Sequence, residues 1–466
     1  MSAPSLPVLT NAHRSRAHAL WRPMTIPGAP PPWPALQFAS GSGMVLHDSN
    51  GHSYLDMTAG MACVQIGHSR PEMARALHAQ LQRLPVCPLF ADMCHPGAQE
   101  LAERLQDWLE PEGVHSVLFS NGGSDAVETA IKLARQFWQL SGQTNKVQIF
   151  AFRQAYHGTH YGAASASGLA VLQQGFGPLL PGFSHFELPF ALAKEFPGPA
   201  EHCADLALRQ LARAIAHQGA GTIAALIAEP VPLGAGIHVP PPNFWPGLRA
   251  LCDAHDILLI ADEVSTGFGR TGEVLACRHW AVRPDLMCLG KGLSSGYVPV
   301  GATTLNARVA QAWAHGGPGS ALVHGYSSSG HPLACAAALT NLDLLERDDL
   351  LARCRAQGQQ FLKDLQSLQT LPLVAEVRGL GLMLALALRP DPRTGQAFSL
   401  ESPTMQALRR ATLDQGVLLR LHPGLVLLTP PLIASASDLA RCTQALHTAL
   451  APGLRACVNP PRGAQP

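Results

Sequence analysis

The stretch ILLIADEVSTGFGRTGE, Ile257 to Glu273, decides how this chain is read. Its apolar start predicts a buried strand, and Gly267-Phe268-Gly269-Arg270-Thr271-Gly272 fits G-x-G-x-x-G. Three readings compete. A dinucleotide-binding turn needs the first glycine directly after the strand, a helix next, and a second strand ending in an acid. Here Glu263 to Thr266 intervene, and Asp285 precedes the next strand, LMCLG, instead of ending it. A glycine-rich surface turn is the bland reading. The third puts the weight on Asp262, because ligands of open α/β sheets bind at the carboxyl ends of strands. A buried aspartate there demands a cation or a hydrogen-bond donor.

Two more strand ends complete that third reading. LMCLG runs into Lys291, which stands between glycines in LGKGLSSG. A desolvated lysine amine has a lowered pKa and becomes a nucleophile. SVLFS (116–120) leads through Asn121 and Gly122 to Gly123 and Ser124 and then a helix, whose first N–H groups form an anion site. An anion site, a buried acid and a reactive lysine match the needs of pyridoxal phosphate: its phosphate held, its ring nitrogen paired, its aldehyde joined to a lysine.

Composition bounds the alternatives. The 466 residues carry a net charge of +1, so no field favours nucleic acid or an anionic membrane surface. Hydrophobic residues are 47% and charged residues 14%, a balance suited to a large core. The 11 cysteines are odd in number and never spaced C-x-x-C, which fits reduced thiols in the cytoplasm. No secretory segment and no bilayer-spanning run are expected. His157 and His160 form H-x-x-H, but no third ligand is evident, so no metal is expected.

Along the chain, Pro-rich residues up to about 40 read as an arm. GMVLHDSNGHSYLDM (43–57) reads as a hairpin about Asn50-Gly51. A helix is expected over 71–83. Helices then alternate with KVQIFAF, IAALIAE, ILLIADE and LMCLG, continuous apolar runs that predict a mainly parallel sheet sandwiched by helices. Helices at 343–369, 403–415 and 436–450, with strands between, read as a smaller α+β unit. The expected division is an arm and part of the small domain (1–70), a large cofactor domain (71–342), the rest of the small domain (343–455) and a disordered tail (456–466). Arg378 reads as structural, and Gly379 and Gly381 as shaping the small sheet.

At these residues the sequence resembles the class III aminotransferases, pyridoxal-phosphate enzymes of the aspartate-aminotransferase fold (fold type I). The resemblance spans about 20 to 450. It rests on LLIADEVSTGFGRTGE…RPDLMCLGKGLSSGYVPVGA, with NGGSDAVETAIKLAR, AYHGTHYGA, AEPV, HGYSSSGHPLACAAAL and RGLGLM in the family's order. It implies that Lys291 is the Schiff-base lysine and proton carrier. Asp262 would pair the ring nitrogen, and Gly123 and Ser124 would cradle the phosphate. Tyr156 would stack on one cofactor face and Val264 on the other, beside His157, Gly158 and Glu229. The segment of Ser327 would reach the neighbouring subunit's cofactor, which implies a homodimer with shared sites. Arg420 would grip a substrate carboxylate, as in members acting on ω-amino acids and amines.

Departures fall at a phosphate-contact position, where the hydroxyl is kept, and in the substrate region. Ser327 replaces a usual Thr and Ser328 a usual aromatic residue. Ala62 stands where many ω-amino-acid and amine transaminases carry Trp, and PLGAG follows AEPV in place of QGAGG. An altered, wider substrate pocket is the expectation. The resemblance therefore implies a transaminase moving an amino group from an ω-amino acid, amine or amino acid to pyruvate or 2-oxoglutarate. The alternatives are a decarboxylase, racemase or aminomutase using the same cofactor, and a non-catalytic binding module.

Overall fold

The computed structural model describes residues 20–26, 35–314 and 320–451. Three sheets organise them. The first holds β1 (Phe38–Ser42), β2 (Val45–Asp48) and β3 (Ser53–Asp56). The second, central sheet has seven strands: β4 (Val114–Ser120), β5 (Gln148–Phe152), β6 (Phe183–Phe186), β7 (Ile223–Ala228), β8 (Leu258–Asp262), β9 (Leu286–Leu289) and β10 (Gly301–Asn306). The third is made from β11 (Val374–Leu380), β12 (Met383–Leu388), β14 (Arg420–His422) and β15 (Leu425–Leu428), while β13 (Val417–Leu418) joins β3 in parallel in the first sheet.

The central order is β4-β10-β9-β8-β7-β5-β6. All neighbours are parallel except at β10, which is antiparallel to both β4 and β9. β4, β5, β7, β8 and β9 therefore point the same way, and their carboxyl ends share one edge. β7, β8 and β9 are buried at every residue. That explains their unbroken apolar sequence: helices cover both faces. The Gly123–Leu140 helix buries Ala126, Val127, Ala130, Ile131 and Ala134 against the sheet, and its Trp138 indole donates to the Ala224 carbonyl at 2.8 Å.

Most expected elements occur, including the hairpin across Asn50-Gly51 and the helix Pro71–Arg83. Three strands lie outside the expectation. β1, Phe38–Ser42, extends the hairpin sheet into residues expected to belong to the irregular arm, by pairing antiparallel with β2. Phe183–Phe186 and Gly301–Asn306 are short and lack a continuous apolar run; β6 lies at a sheet edge, and β10 carries polar Thr303 and Thr304. The single helix expected over 343–369 is instead two, Pro332–Arg347 and Leu350–Gln366, followed by a 3₁₀ turn at Ser367–Thr370. Asp349 breaks them with φ +48, a conformation aspartate tolerates. Asp348 is tied down by Arg70 at 2.8 Å. Leucines on both sides of the break make the two helices read as one. Their true start is marked by Pro332 at the first turn. The expected disordered tail lies outside the described residues.

Candidate active site

Asp262 and Glu263 are adjacent on a strand end, so their side chains leave on opposite faces. The two acids have different work. Glu263 is fully buried and structural. Its Oε1 accepts from the Cys277 N–H at 2.8 Å and its Oε2 from the Ala276 N–H at 3.0 Å and from the Thr266 hydroxyl. It thereby closes the loop that holds the glycines. That loop leads to a five-residue 3₁₀ helix, Ala276–Trp280, and starts no α-helix at its glycines. Gly267 N–H returns to the Glu263 carbonyl, Phe268 N–H to Val274 and Gly269 N–H to Glu273. Nor is it on the surface: Phe268 and Arg270 are fully buried, and Arg270 donates to the Leu382 and Pro430 carbonyls. The G-x-G-x-x-G match is thus a buried turn locking the central sheet to the third sheet.

Asp262 faces the shared strand-end edge. Its Oδ2 lies 2.7 Å from Nδ1 of His157, and its Oδ1 accepts from the Val264 N–H at 3.1 Å. Beside a carboxylate, Nδ1 carries the imidazole hydrogen. The His157 ring is wholly buried, and its Nε2 has no partner. The H-x-x-H pair is split between two carboxylates, since His160 bonds Asp125 at 2.6 Å. Among the described residues no group of three His, Cys, Asp or Glu could hold a metal ion.

Lys291 follows β9 at φ +38, a strained backbone for a residue with a Cβ. Its Nζ donates to the hydroxyl of Ser265. Burial lowers its pKa from the ordinary lysine range, opposed by Cys63, Asp262 and Glu229. The turn before it lies against the start of the Gly123–Leu140 helix. A Cβ on Gly290 would sit 3.3 Å from Gly123, and one on Gly123 would sit 2.6 Å from Cγ1 of Val264. Glycine is what lets the lysine turn, the helix start and Val264 meet. No side chain caps that helix, so its first N–H groups face outward as an anion cradle.

The Tyr156–Thr159 loop closes on the same cradle. Gly158 has φ +124, and a Cβ there would lie 2.5 Å from Oγ of Ser124. Ser124 also accepts from the Thr159 N–H at 3.3 Å. Glu229, at the end of β7, holds the loop from behind: Oε1 accepts from the Tyr156 N–H at 2.9 Å and Oε2 from the Leu233 N–H at 3.2 Å. Burial raises the Glu229 pKa to about 7, with His157 and Lys291 pulling it down and Asp262 pushing it up.

Arg420 lies on β14, within electrostatic reach of Tyr156, Cys63 and Lys291. Its Nε donates to Nε2 of His422 at 3.1 Å. Ala62 is 1% exposed and packs with Val231, Leu233 and Ile237. Ser327 is exposed, in a segment that Tyr326 ties to the Asp125 carbonyl at 3.1 Å. The structure thus gathers Lys291, Asp262, Val264, Gly123, Ser124, Tyr156, His157 and Glu229, with Arg420 opposite. Three neighbours escape the sequence reading: Ser265, Cys63 and His422. Ser265 has a signal, a hydroxyl three residues past the strand-end aspartate. His422 has one in its i+2 spacing from Arg420, which places both on one face of a strand.

The residues fit pyridoxal phosphate, as judged from the cradle that side chains on Gly123 and Gly158 would fill and from the lysine and aspartate beside it. The fold and site define a fold type I α/β enzyme. Residues 31–450 match the family model described as aminotransferase class-III. An omega-aminotransferase of Caulobacter vibrioides is 36% identical over 418 residues, covering 88% of this chain and 92% of the relative. A putrescine–pyruvate aminotransferase of Pseudomonas aeruginosa is 34% identical, covering 85% and 86%. The solved PLP-bound amine transaminase of an uncultivated Pseudomonas species superposes with a TM-score of 0.88 at 41% identity, covering 93% and 98%. The chain belongs to the class III aminotransferases, and it is a transaminase.

Proposed function

We propose that this transaminase binds pyridoxal phosphate at Lys291 and takes amino groups from amines or ω-amino acids, passing them to pyruvate or 2-oxoglutarate. The observation that carries the substrate reading is Arg420: a guanidinium within electrostatic reach of the lysine, bonded to His422 and with no ion pair to any described residue. A guanidinium that no carboxylate of the chain neutralises suits a substrate carboxylate. The omega-aminotransferase and amine transaminase relatives support the donor class.

When bound, the cofactor supplies an aldehyde that condenses with amines and a ring that takes up electrons from the donor carbon. The chain supplies the rest. Asp262 would hold the proton on the ring nitrogen, and His157 fixes the orientation of that carboxylate. Gly123 and Ser124 would hold the phosphate. Tyr156 and Val264 would confine the ring between them. Lys291, its pKa lowered by burial, offers a free amine more readily than a surface lysine. Released by the donor, Nζ would carry the proton from the donor carbon, with the Ser265 hydroxyl as its resting partner. Glu229 holds the backbone of the Tyr156 loop.

The same reading makes the protein a homodimer in the cytoplasm, with Ser327 serving the neighbour's phosphate. It divides the chain near 70 and 342, supported by the pairing of β13 with β3, which ties residues 417–418 to the N-terminal sheet. All 10 described cysteines are free, consistent with a reducing compartment. Among the described residues no helix is long and apolar enough to cross a membrane. Neither the geometry nor the relatives favour a decarboxylase, racemase or aminomutase.

The test is the visible spectrum of the holoenzyme, titrated with amines, ω-amino acids and α-amino acids, then with each keto acid. The reading expects the lysine-bound band to fade with an amine or ω-amino acid and return with one keto acid. A band bleached only by α-amino acids would refute the donor class.

A further inference from the structure

Arg420 is held by a neighbour that no sequence motif announces. β14 is the edge strand of the third sheet, paired only with β15, with Arg420 opposite Leu427 and His422 opposite Leu425. Residues two apart on a strand share a face. Arg420 and His422 therefore project together, while Leu421 between them turns into the core. Their side chains meet through one bond, Arg420 Nε to His422 Nε2, 3.1 Å.

That bond has a direction. Arginine has no acceptor, so the histidine nitrogen must accept. Only a neutral imidazole with its hydrogen on Nδ1 can do so. The surroundings enforce that state, since burial and the Arg420 charge push the His422 pKa down to about 4. Near neutral pH the ring is uncharged and Nε2 keeps its lone pair for the Arg420 Nε–H.

A guanidinium can meet a carboxylate side-on, through Nε and one Nη, or end-on, through both Nη atoms. His422 takes Nε. Only the end-on mode is left, and the guanidinium plane is fixed by a ring that is itself partly buried.

We propose that His422 is a positioning residue: by occupying Nε it fixes Arg420 to receive a substrate carboxylate end-on, and so sets the enzyme's preference for carboxylate-bearing substrates. This rests on the reading of Arg420 as the carboxylate anchor. A freely swinging arginine would spend part of its time in rotamers that do not face Lys291, and each such rotamer weakens carboxylate binding. The tether removes them before the substrate arrives.

The experiment compares holoenzyme carrying Arg420→Ala, His422→Phe and His422→Gln. Phe keeps a planar ring without an acceptor; Gln keeps an acceptor of similar reach. His422→Leu replaces the Phe variant should that one fail to fold. Two readouts are taken: KM and kcat for pyruvate, 2-oxoglutarate and a monoamine without a carboxylate, and the Kd of an unreactive carboxylate, propionate, by calorimetry. The expected result is a rise of roughly tenfold in keto-acid KM and in propionate Kd for His422→Phe, reversed in large part by Gln, with monoamine KM rising far less. If Arg420→Ala weakens propionate binding but His422→Phe does not, the tether is refuted and the anchor stands. If Arg420→Ala leaves propionate binding unchanged, the anchor itself is wrong and the tether falls with it. Equal loss for carboxylate and monoamine substrates in His422→Phe would mark a merely structural residue and overturn the proposal.

Discussion

The two sides of this site are built differently. The cofactor side stands on the ends of β4, β5, β7, β8 and β9, five strands running the same way in one sheet whose middle is wholly buried. The opposing side stands on β14, a three-residue edge strand, and on Ala59–Ala62, where the backbone has positive φ at four successive residues. A packed sheet fixes a side chain to a fraction of an ångström, whereas an edge strand is paired on one side only. On the proposed reading, the bond-making groups stand on the first and the substrate-selecting groups on the second. Two of the departures from the family pattern, at Ala62 and after Glu229, fall beside the second.

The largest effects should come from the rigid side and should not discriminate between substrates. Lys291→Ala should lower kcat by at least about 10³-fold for every donor, because the proposed nucleophile and proton carrier would be lost together. The visible band of the lysine-bound cofactor should vanish with it. Asp262→Asn keeps the size and loses the charge that would hold the ring proton. A kcat loss of roughly 10²–10³-fold is expected, again for all donors. Steady-state rates over a donor panel check both. A loss confined to carboxylate-bearing donors would break the comparison.

The next effect belongs to the edge strand and should discriminate. Arg420→Ala should raise keto-acid KM by roughly 10–100-fold, the scale of a lost hydrogen-bonded charge contact. A simple monoamine should lose far less, because it has no carboxylate to grip. Equal losses for both substrate types would place Arg420 in the structural frame instead.

The same contrast explains how much of the molecule is legible in the sequence. Continuous apolar runs announce the parallel strands, and the residues just past the end of such a strand must lie on the ligand edge. Asp262, Lys291 and the Gly123 cradle can therefore be read directly. Side-chain direction cannot. Glu263 and Asp262 are neighbours of one kind, yet only the fold shows that one binds backbone N–H groups and the other faces His157. Ser265 and His422 matter through contacts with residues that the sequence does mark, and a contact has no signature in a linear chain. Arg270 looks like part of a glycine loop and is a buried clamp between sheets. β10 is hidden because a strand inserted antiparallel, with threonines in it, does not carry the apolar texture of its neighbours.

The smallest predicted effect tests the seam between the two sides. Glu229 sits at the end of β7, yet it holds Tyr156 on the cofactor side and Leu233 in the apolar cluster that contains Ala62. Burial raises its pKa to about 7, from an ordinary value of 4.5. The folded state thus binds this proton more tightly than the unfolded chain. The resulting stability is complete below about 4.5 and is lost as pH rises through about 7. Glu229→Gln cannot ionise, so its stability should lack that slope. The substitution also has a fixed cost: a glutamine has one carbonyl oxygen, and one of the two N–H groups loses its acceptor. The cost is the same at every pH. Wild type should therefore be the more stable at pH 5.5, and its advantage should shrink by pH 8.5, by on the order of 1–3 kcal/mol. Thermal melting of both proteins across that range separates the two terms, because only the changing difference in Tm reports ionisation. Parallel curves would mean that Glu229 does not titrate in this window, and that it acts on the Tyr156 loop as a fixed carboxylate.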